Sequence, residues 1–424
     1  GPDSFITNKP GAVQLCEEIG FTNQLIPTDA GFRRSLVLRK GKPVLVPDGF
    51  MLMAPTKPWA ILTTPILSLT GKLRLLSEAL IARKTNAEDE SLGSFVRRRF
   101  GRQALERLVQ PLVGGIYTGD PEKLSLKATL PRFSDMEQSH GSVIRATLAQ
   151  QKKDRQCKTG VGDIADGSSG SGARYGMFAT AAGGLSDMVA AIERTLRKSG
   201  RVEIRLGEEV SGIEQRTDSG SKWSIQFRDH ESMSFDDVIV ALPTHTAARI
   251  LGTAISQELK TALQEIEYAS SAIVVSGHQL SDFSHPMDAF GLVIPAIEQR
   301  KILAISLSSR KFPDRAPAGH ILLRTFVGGA MQPELLANSD DTMTGFVNEE
   351  LRSIFGMTSE PMFSEVIRYN SAMPQYNVGH LEQVARIGSL LKNTPGLHLA
   401  GSAYTGVGIP DSIASGWAAA DNIL

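Results

Sequence analysis

The chain has 424 residues with 45 basic and 45 acidic side chains, and this length predicts two or three domains rather than a single core. The balanced charge argues against a nucleic-acid partner, because such binders neutralise phosphates with a basic surface. The two cysteines, Cys16 and Cys157, form no disulfide framework or zinc-ligand pattern, which favours a reducing compartment. The sequence contains no run of about twenty apolar residues, so it predicts no membrane-spanning helix.

The first fifty residues predict a helix followed by a hairpin. An opening turn leads into a helix that ends at Gly20 and carries Val13 and Ile19 on its apolar side. Residues 35–38 and 43–47 are apolar, strand-forming segments, and the basic, glycine-containing stretch between them is typical of a hairpin turn.

Residues 50–150 are predicted to be mostly helical. The apolar stretch 59–69 is interrupted by Pro65 and is too short to cross a bilayer. Arg97, Arg98 and Arg99 lie beside aromatic and aliphatic residues, a combination that indicates docking on an anionic membrane surface. The alternative is an ordinary solvated helix face above a stripe of core residues.

The composition changes at residues 154–174, where glycine and serine predict a flexible linker. Beyond this linker, a helix that starts at Leu185 and strand-like segments at 202–206, 223–227 and 237–242 predict an α/β region. Alternating apolar segments between residues 250 and 365 predict an antiparallel sheet, covered by a helix over residues 342–355.

The closing segment, residues 395–421, predicts a strand, a glycine-rich turn and a helix that begins near Pro410. Proline suits the first helical turn, where its missing N–H costs nothing. The turn directs bare N–H groups and the positive end of a helix dipole at one point, which favours an anionic ligand such as a pyrophosphate or a reduced flavin. The alternative is an ordinary strand–turn–helix connection that binds nothing.

Several separated segments together carry a family resemblance. They are residues 1–5, 100–101, 108–121, 124–125, 312–317, 326–329 and the closing segment. Through these residues the chain resembles, over essentially its full length, the flavin-containing protoporphyrinogen oxidases of the flavin amine oxidase superfamily. The resemblance implies oxidation of protoporphyrinogen IX to protoporphyrin IX, a late step of heme and chlorophyll biosynthesis, in which FAD passes the electrons to oxygen.

The resemblance also implies a fold that combines α/β and α+β parts: an FAD-binding Rossmann-like domain, an antiparallel-sheet substrate domain and a helical, membrane-facing insert. The expected segments are residues 1–48 for FAD and substrate binding, 49–153 for the insert, 154–174 for the linker, 175–250 for FAD binding, 251–365 for the substrate domain and 366–424 for FAD binding. Family members hold the FAD pyrophosphate with a strand–Gly-x-Gly-x-x-Gly–helix unit, which would belong before Gly1 and which this sequence lacks. We therefore expect the chain as given to fold poorly and to bind FAD weakly.

The resemblance assigns site residues position by position. FAD contacts fall on Gly1, Pro2, Asp3, Ser4, Val210, Ser402, Val407, Gly408 and Ile409. The substrate pocket falls on Gly115, Phe290, Val293 and Phe326, and a propionate-binding cation on Arg34 or Arg33, with Arg34 favoured. The alternative for Val210 and the aromatic residues is that they only pack in the core. The alternative for the two arginines is that they lie solvated at the end of a loop. We expect no catalytic side chain and no metal, because the flavin carries the chemistry and the eight histidines show no metal-ligand spacing.

The expected partner is a porphyrinogen substrate. A membrane surface is a second expected partner, contacted peripherally, and the chain is compatible with a homodimer. The expected location is the cytoplasm or a membrane surface, and a plastid is not excluded. Three other functions stay open: oxidation of coproporphyrinogen III, whose four propionates instead of two call for extra cations; an amine-oxidase-like reaction on a polyamine or polyene; and flavin-free, non-catalytic porphyrin binding.

Overall fold

A computed structural model describes residues 2–47, 50–51, 54–55, 58–86, 88–158, 178–216 and 222–424. The chain divides into two compact units. The first contains residues 1–26, 178–268 and 374–424, and the second contains residues 27–177 and 269–373. Most of the predicted linker, residues 159–174, lies outside the described residues. Residues 154–158 belong to a helix rather than to a linker.

The elements are numbered in chain order. The strands are β1 (Phe5–Ile6), β2 (Leu25–Pro27), β3 (Ser35–Arg39), β4 (Lys42–Leu45), β5 (Phe50–Met51), β6 (Ala54–Pro55), β7 (Phe178–Ala181), β8 (Val210–Gln215), β9 (Trp223–Phe227), β10 (Met233–Phe235), β11 (Val238–Val240), β12 (Tyr268–Gln279), β13 (Gly291–Val293), β14 (Ala304–Leu307), β15 (His320–Gly328), β16 (Phe363–Pro374) and β17 (Leu397–Leu399). The helices are α1 (Pro10–Glu18), α2 (Pro58–Thr63), α3 (Leu69–Leu76), α4 (Leu92–Arg99), α5 (Arg102–Ala104), α6 (Gln110–Tyr117), α7 (Leu126–Thr129), α8 (Pro131–His140), α9 (Val143–Lys158), α10 (Leu185–Ser199), α11 (Thr244–Leu251), α12 (Gln257–Gln264), α13 (Ser308–Lys311), α14 (Asp340–Phe355), α15 (His380–Leu391) and α16 (Ile409–Asp421).

The first unit is a mixed α/β region with small sheets. One sheet has the strand order β1–β7–β2, a second has the order β10–β9–β8, and β11 pairs in parallel with β17. The predicted strands at 223–227 and 237–242 are confirmed as β9 and β11. The predicted strand at 202–206 is wrong, because Val202 and Leu206 are exposed there and have no apolar face to pack against.

Two apolar cores stabilise this first unit. One surrounds the completely buried Trp223 and includes side chains of α11, α12, β11 and β17. The other joins α1, α10 and α16 and contains Cys16. Burial raises the pKa of the Cys16 thiol, with the charge of Glu17 acting in the same direction, so this cysteine behaves as a small apolar residue.

The second unit is built on a seven-stranded sheet with the order β16–β12–β15–β14–β13–β3–β4. The pairs β12–β15, β15–β14, β14–β13 and β3–β4 are antiparallel, as the alternating sequence predicts, whereas β3 and β13 run parallel. α14 covers one face of this sheet. It begins after Ser339, whose hydroxyl accepts from the N–H of Thr342, and it ends at Gly356 in the left-handed region with φ of 66°.

The opposite face of the sheet packs against the helices between residues 58 and 158. Phe95, Leu108 and Val113 form a core there with Val37 of β3. The helical segment therefore shares its apolar core with the sheet. Among the described residues, no helix is both long and apolar enough to cross a membrane.

The arginine cluster of α4 is not the lipid-facing patch that the sequence indicated. Arg99 is completely buried and donates from Nε to Glu78, which is also completely buried, at 2.7 Å. Arg97 pairs with Glu122 at the surface. Because a buried charge needs a buried partner, Arg99 has a structural role within the second unit.

Arg98 completes the ionic network of this region. It pairs with Glu90 and with Glu137, both at 2.7 Å. Burial alone raises the pKa of the Glu137 carboxyl, but the hydrogen bonds and charges around it, above all from Arg98, bring that pKa below its ordinary value. Membrane association stays a prediction, as does a homodimer.

Candidate cofactor and substrate sites

The turn between β17 and α16 has the predicted strand–turn–helix form. β17 ends at Leu399 and α16 begins at Ile409. Gly401 has φ of 127°, and a Cβ at Gly406 would lie 2.4 Å from the carboxyl carbon of Asp411. Both positions favour glycine: Gly401 because side-chain-bearing residues rarely adopt its positive φ, and Gly406 because the Asp411 carboxylate occupies the space of a Cβ.

The N-terminal segment lies beside this turn in the first unit. Lys9 Nζ pairs with the carboxylate of Asp411 at 2.7 Å. A Cβ at Gly11 would lie 2.5 Å from the carbonyl oxygen of Pro410, so α1 and the start of α16 are in close contact. The structure therefore brings the segment that contains Pro2, Asp3 and Ser4 together with the start of α16. Gly1 lies outside the described residues.

The start of α16 offers unused backbone donors. Gly408 provides no side-chain cap, and the N–H groups of Val407, Gly408 and Ile409 donate to no acceptor in the part of the chain that the structure describes. These donors lie at the positive end of the α16 dipole, where an anionic or electron-rich group is stabilised. Small residues also let a flat ring approach the backbone. The residues present therefore fit a flavin.

Two side chains that the sequence analysis missed support this turn. Tyr376 donates its hydroxyl to the carbonyl oxygen of Ser402 at 2.7 Å. The ring of His380 stacks on Tyr376 with 3.9 Å between the ring centroids. Burial lowers the pKa of His380, while its contact with the Tyr404 backbone opposes this effect, so the imidazole is neutral at neutral pH. Neither residue belongs to a motif, and the sequence carries no signal for them.

Val210 lies in a different core from the start of α16. It begins β8 and packs, half-buried, in the Trp223 core together with Tyr404. Ile409 packs instead in the core around Cys16. The proposed contact of Val210 with FAD stays a prediction.

In the second unit, two of the predicted substrate residues, Val293 and Phe326, lie on one face of the sheet. Along β15, alternate residues are buried on the α14 side, and the half-buried residues between them, including Arg324 and Phe326, point to the other side. Phe326 pairs with Ala304, and Ala304 pairs with Val293. Directly paired residues share a face, so Phe326 and Val293 lie on the same surface with the small Ala304 between them.

α6 is fixed over this face by hydrogen bonds at both ends. The Gln110 side chain accepts from the backbone of the loop after β13 at 2.9 Å, and the carbonyl of Thr118 accepts from the loop after β15 at 2.8 Å. Between these anchors, a Cβ at Gly115 would lie 3.9 Å from Cγ1 of Val293. The structure thus brings Gly115, Val293 and Phe326 together around one apolar surface. Because residue 115 is a glycine, it has no side chain that would cover this surface.

Arg34 and Phe290 lie elsewhere. Arg34 pairs with Asp288 at 3.3 Å, and its side chain is 42% exposed. The N–H of Phe290 donates to the carbonyl of Arg34 at 2.8 Å, which extends the pairing of β3 and β13 by one residue. Strand alternation then places Phe290 on the α14 side of the sheet, opposite Val293. The structure does not group Arg34 or Phe290 with Phe326.

Arg33 precedes this pair in a short loop. Its Nη2 donates to the carbonyl of Thr28 at 3.2 Å, and its Nε is buried without a hydrogen-bond partner among the described residues. The roles of Arg33 and Arg34 in substrate binding stay predictions.

The whole chain, residues 1–424, matches the family of flavin containing amine oxidoreductases. The coproporphyrinogen III oxidase of Bacillus subtilis (strain 168) is 33% identical over 427 residues, which cover 100% of this chain and 86% of that protein. The chloroplastic/mitochondrial protoporphyrinogen oxidase 2 of Arabidopsis thaliana is 27% identical over 100% of this chain and 84% of its own length. The crystal structure of a candidate protoporphyrinogen oxidase from Exiguobacterium sp. 255-15 superposes with a TM-score of 0.83 at 27% identity, covering 100% of this chain and 86% of that one.

The fold and the family match therefore define a flavin-dependent oxidoreductase. The chain belongs to the flavin containing amine oxidoreductase family. The resemblance to porphyrinogen oxidases, expected from the sequence, is confirmed by these relatives. The βαβ unit expected before Gly1, and the poor folding and weak FAD binding expected without it, stay predictions.

Proposed function

We propose that this chain uses bound FAD to oxidise a porphyrinogen to the corresponding porphyrin, with oxygen as the electron acceptor. Protoporphyrinogen IX is the substrate expected from the sequence. Coproporphyrinogen III, which appears in the name of the Bacillus subtilis relative, is the second candidate. The observation that carries the proposal is the shared apolar surface of Gly115, Val293 and Phe326 on one face of the sheet.

This surface suits a large, flat and mostly apolar macrocycle. Phe326 offers a ring on which a pyrrole can stack. Gly115 has no side chain to occupy the space above this surface, and the small side chain of Ala304 lies between Phe326 and Val293. These residues hold the macrocycle in one orientation, and such positioning supplies much of the rate enhancement of a reaction between two bound groups.

The first unit supplies the cofactor half of the function. A bound flavin would supply the oxidising power, taking a hydride equivalent from a meso carbon while the proton of the adjoining pyrrole N–H passes to solvent. The N–H groups of residues 407–409 would hold the cofactor, and the hydrogen bond from Tyr376 to Ser402 fixes the turn that presents them.

A polyamine substrate fits the sheet face less well. The surface around Gly115, Val293 and Phe326 is apolar, and placing protonated amines against it costs desolvation free energy. A tetrapyrrole instead presents an apolar ring to this surface.

The proposal is tested with the purified chain after incubation with FAD. We expect a retained flavin absorption band, and a rise of porphyrin fluorescence when protoporphyrinogen IX or coproporphyrinogen III is added in air. Repeating the assay under nitrogen tests the role of oxygen, since turnover should then stop after the bound flavin is reduced. A chain that retains flavin and oxidises neither porphyrinogen overturns the proposal. A chain that binds porphyrin without flavin supports the non-catalytic alternative.

A further inference from the structure

Two arginines from different elements meet at one carbonyl oxygen in the second unit. Arg39, the last residue of β3, donates from Nη1 to the carbonyl of Ile66 at 2.5 Å, and Arg107 donates from Nη1 to the same oxygen at 3.1 Å. Because both donors reach a single oxygen, the two guanidinium groups are close neighbours. Ile66 lies in the loop between α2 and α3. The fold therefore holds two cations side by side against this loop.

No carboxylate pairs with either guanidinium in the part of the chain that the structure describes. Glu106 precedes Arg107, but its carboxylate pairs with Arg102. The carboxylate of Glu298 accepts from two backbone N–H groups in the turn of the β3–β4 hairpin. Neighbouring like charges repel each other, and they do so more strongly where water is partly excluded. An anion bound by both guanidinium groups offsets this repulsion.

A third cation adjoins the pair. Lys42 lies directly opposite Arg39 in the pairing of β3 with β4, so the two side chains share a face of the sheet. Lys42 is exposed, and it forms no ion pair among the described residues. Like charges directly opposite each other destabilise a strand pair. The hairpin therefore carries a concentration of positive charge that its own fold does not need.

The two guanidinium groups keep donors that are open to solvent. Each of them uses only Nη1 in a hydrogen bond to the described part of the protein. Of the remaining nitrogens, Nε of Arg107 is buried without a partner, whereas Nη2 of Arg107 and both Nε and Nη2 of Arg39 are in contact with solvent. Both side chains are half-buried and held at one end, so little conformational freedom is lost when they bind a ligand.

The backbone around Arg107 is also unusual. A π-helical turn, Leu105–Val109, connects α5 to α6. Leu105, Leu108 and Val109 of this turn are buried in the core of the helical segment, whereas Arg107 is half-buried. Turns of this kind are rare, and inside helices they occur frequently at functional sites. The irregular turn is a second feature, independent of charge, that marks this position.

We propose that Arg39, Arg107 and Lys42 form a binding site for a phosphate group. The two planar forks and the ammonium together supply donors for several oxygens of one tetrahedral anion, and their charges complement its double negative charge. A carboxylate has two oxygens and a single charge, and it leaves part of this set unused. The phosphate group comes from a soluble phosphate or from a phospholipid headgroup, which present the same oxygens. The site is separate from the flavin turn and does not rest on the proposed function.

The test measures binding of inorganic phosphate to wild type, Arg107→Gln, Arg107→Lys and Arg102→Gln, each after incubation with FAD. Isothermal titration with sodium phosphate is compared with sodium chloride at equal ionic strength. Arg102→Gln is the matched control, because it removes the same charge from the same stretch of helix and its side chain is 80% exposed. Circular dichroism checks the fold, and Arg39→Gln replaces Arg107→Gln if that variant does not fold. Sedimentation with vesicles of phosphatidylcholine, with and without phosphatidic acid, tests the lipid source.

We expect wild type to be saturated by phosphate and not by chloride. Arg107→Gln should raise the Kd for phosphate by about 10- to 150-fold, the loss of hydrogen bonds to a charged group. Arg107→Lys should recover part of this loss, since it keeps the charge without the planar fork, and Arg102→Gln should change the Kd by no more than about threefold.

The vesicle arm separates the two sources of phosphate. Binding that requires phosphatidic acid and is lost in Arg107→Gln supports the site and assigns it to a headgroup. Phosphate binding without vesicle binding supports the site and assigns it to a soluble phosphate. No saturable binding in either arm overturns the proposal, as do equal losses for Arg102→Gln and Arg107→Gln.

Discussion

Replacing Arg99 by methionine tests whether the buried ionic network stabilises the second unit. In the folded chain Arg99 donates to Glu78 and to the backbone carbonyls of Ile81, Ala82 and Gly141. Methionine has a similar length and no charge, so the substitution keeps much of the apolar stem and removes all of these donors.

The expected loss follows from what remains around Glu78. Removing one partner of a buried ion pair costs about 3–5 kcal/mol, because the other charge is left in a poorly solvating interior. The Glu78 carboxylate keeps the N–H groups of Val143 and Ile144 at 3.0 and 3.2 Å, so we expect the lower end, about 3 kcal/mol. Arg97→Met breaks only an exposed pair with Glu122, for which the expected loss is about 0–1 kcal/mol.

Urea unfolding followed by circular dichroism compares the transition midpoints of these variants. Midpoints are compared because a chain with two units need not unfold in a single step. Adding Glu78→Gln to Arg99→Met should recover part of the loss, since the double variant no longer buries an unpaired charge. Equal midpoint shifts for Arg99→Met and Arg97→Met would refute the reasoning.

Three further predictions concern the sites and the core. Gly115→Leu places a side chain over the surface near Val293 and should weaken porphyrinogen binding by about 1–3 kcal/mol, seen as a higher KM with an unchanged flavin band. Tyr376→Phe removes the hydrogen bond to Ser402 and should raise the Kd for FAD by up to about tenfold in a fluorescence titration. His278 has its pKa lowered by burial to about 4, with the charge of Asp282 opposing, so the unfolded chain binds more protons between that pH and about 6.5. The free energy of unfolding is therefore unaffected by His278 above about pH 6.5 and decreases as the pH falls toward 4. His278→Gln should flatten this part of the plot of urea midpoint against pH.

Each of these predictions has its own control. Gly115→Ala adds only a Cβ at an ordinary contact distance of 3.9 Å, so it should behave as wild type, and a loss as large as that of the leucine variant would contradict the open-surface interpretation. An unchanged Kd for FAD in Tyr376→Phe would show that this hydroxyl does not support the turn. The same pH profile in wild type and His278→Gln would assign the pH dependence to another group.

The sequence by itself determined the elements whose signals are local. Pro410 in the first helical turn and the glycines at 401 and 406 predicted the closing turn and helix, because these residues act through their own backbone geometry. The helix predicted at 342–355 appears as α14, which Ser339 caps and Gly356 ends. The flavin-type resemblance likewise came from short segments whose spacing is fixed along the chain.

Only the tertiary structure decided which distant side chains share a surface and which charges are buried. Arg324, Ser306 and Gly291 are separated in sequence, and strand register alone places them in one row. The sequence indicated that Arg99 belongs to a basic surface. In the fold it is buried with Glu78, whose carboxylate comes from another segment. Register and burial depend on contacts between segments far apart in the chain, and such contacts leave no periodic signal in the sequence of either segment.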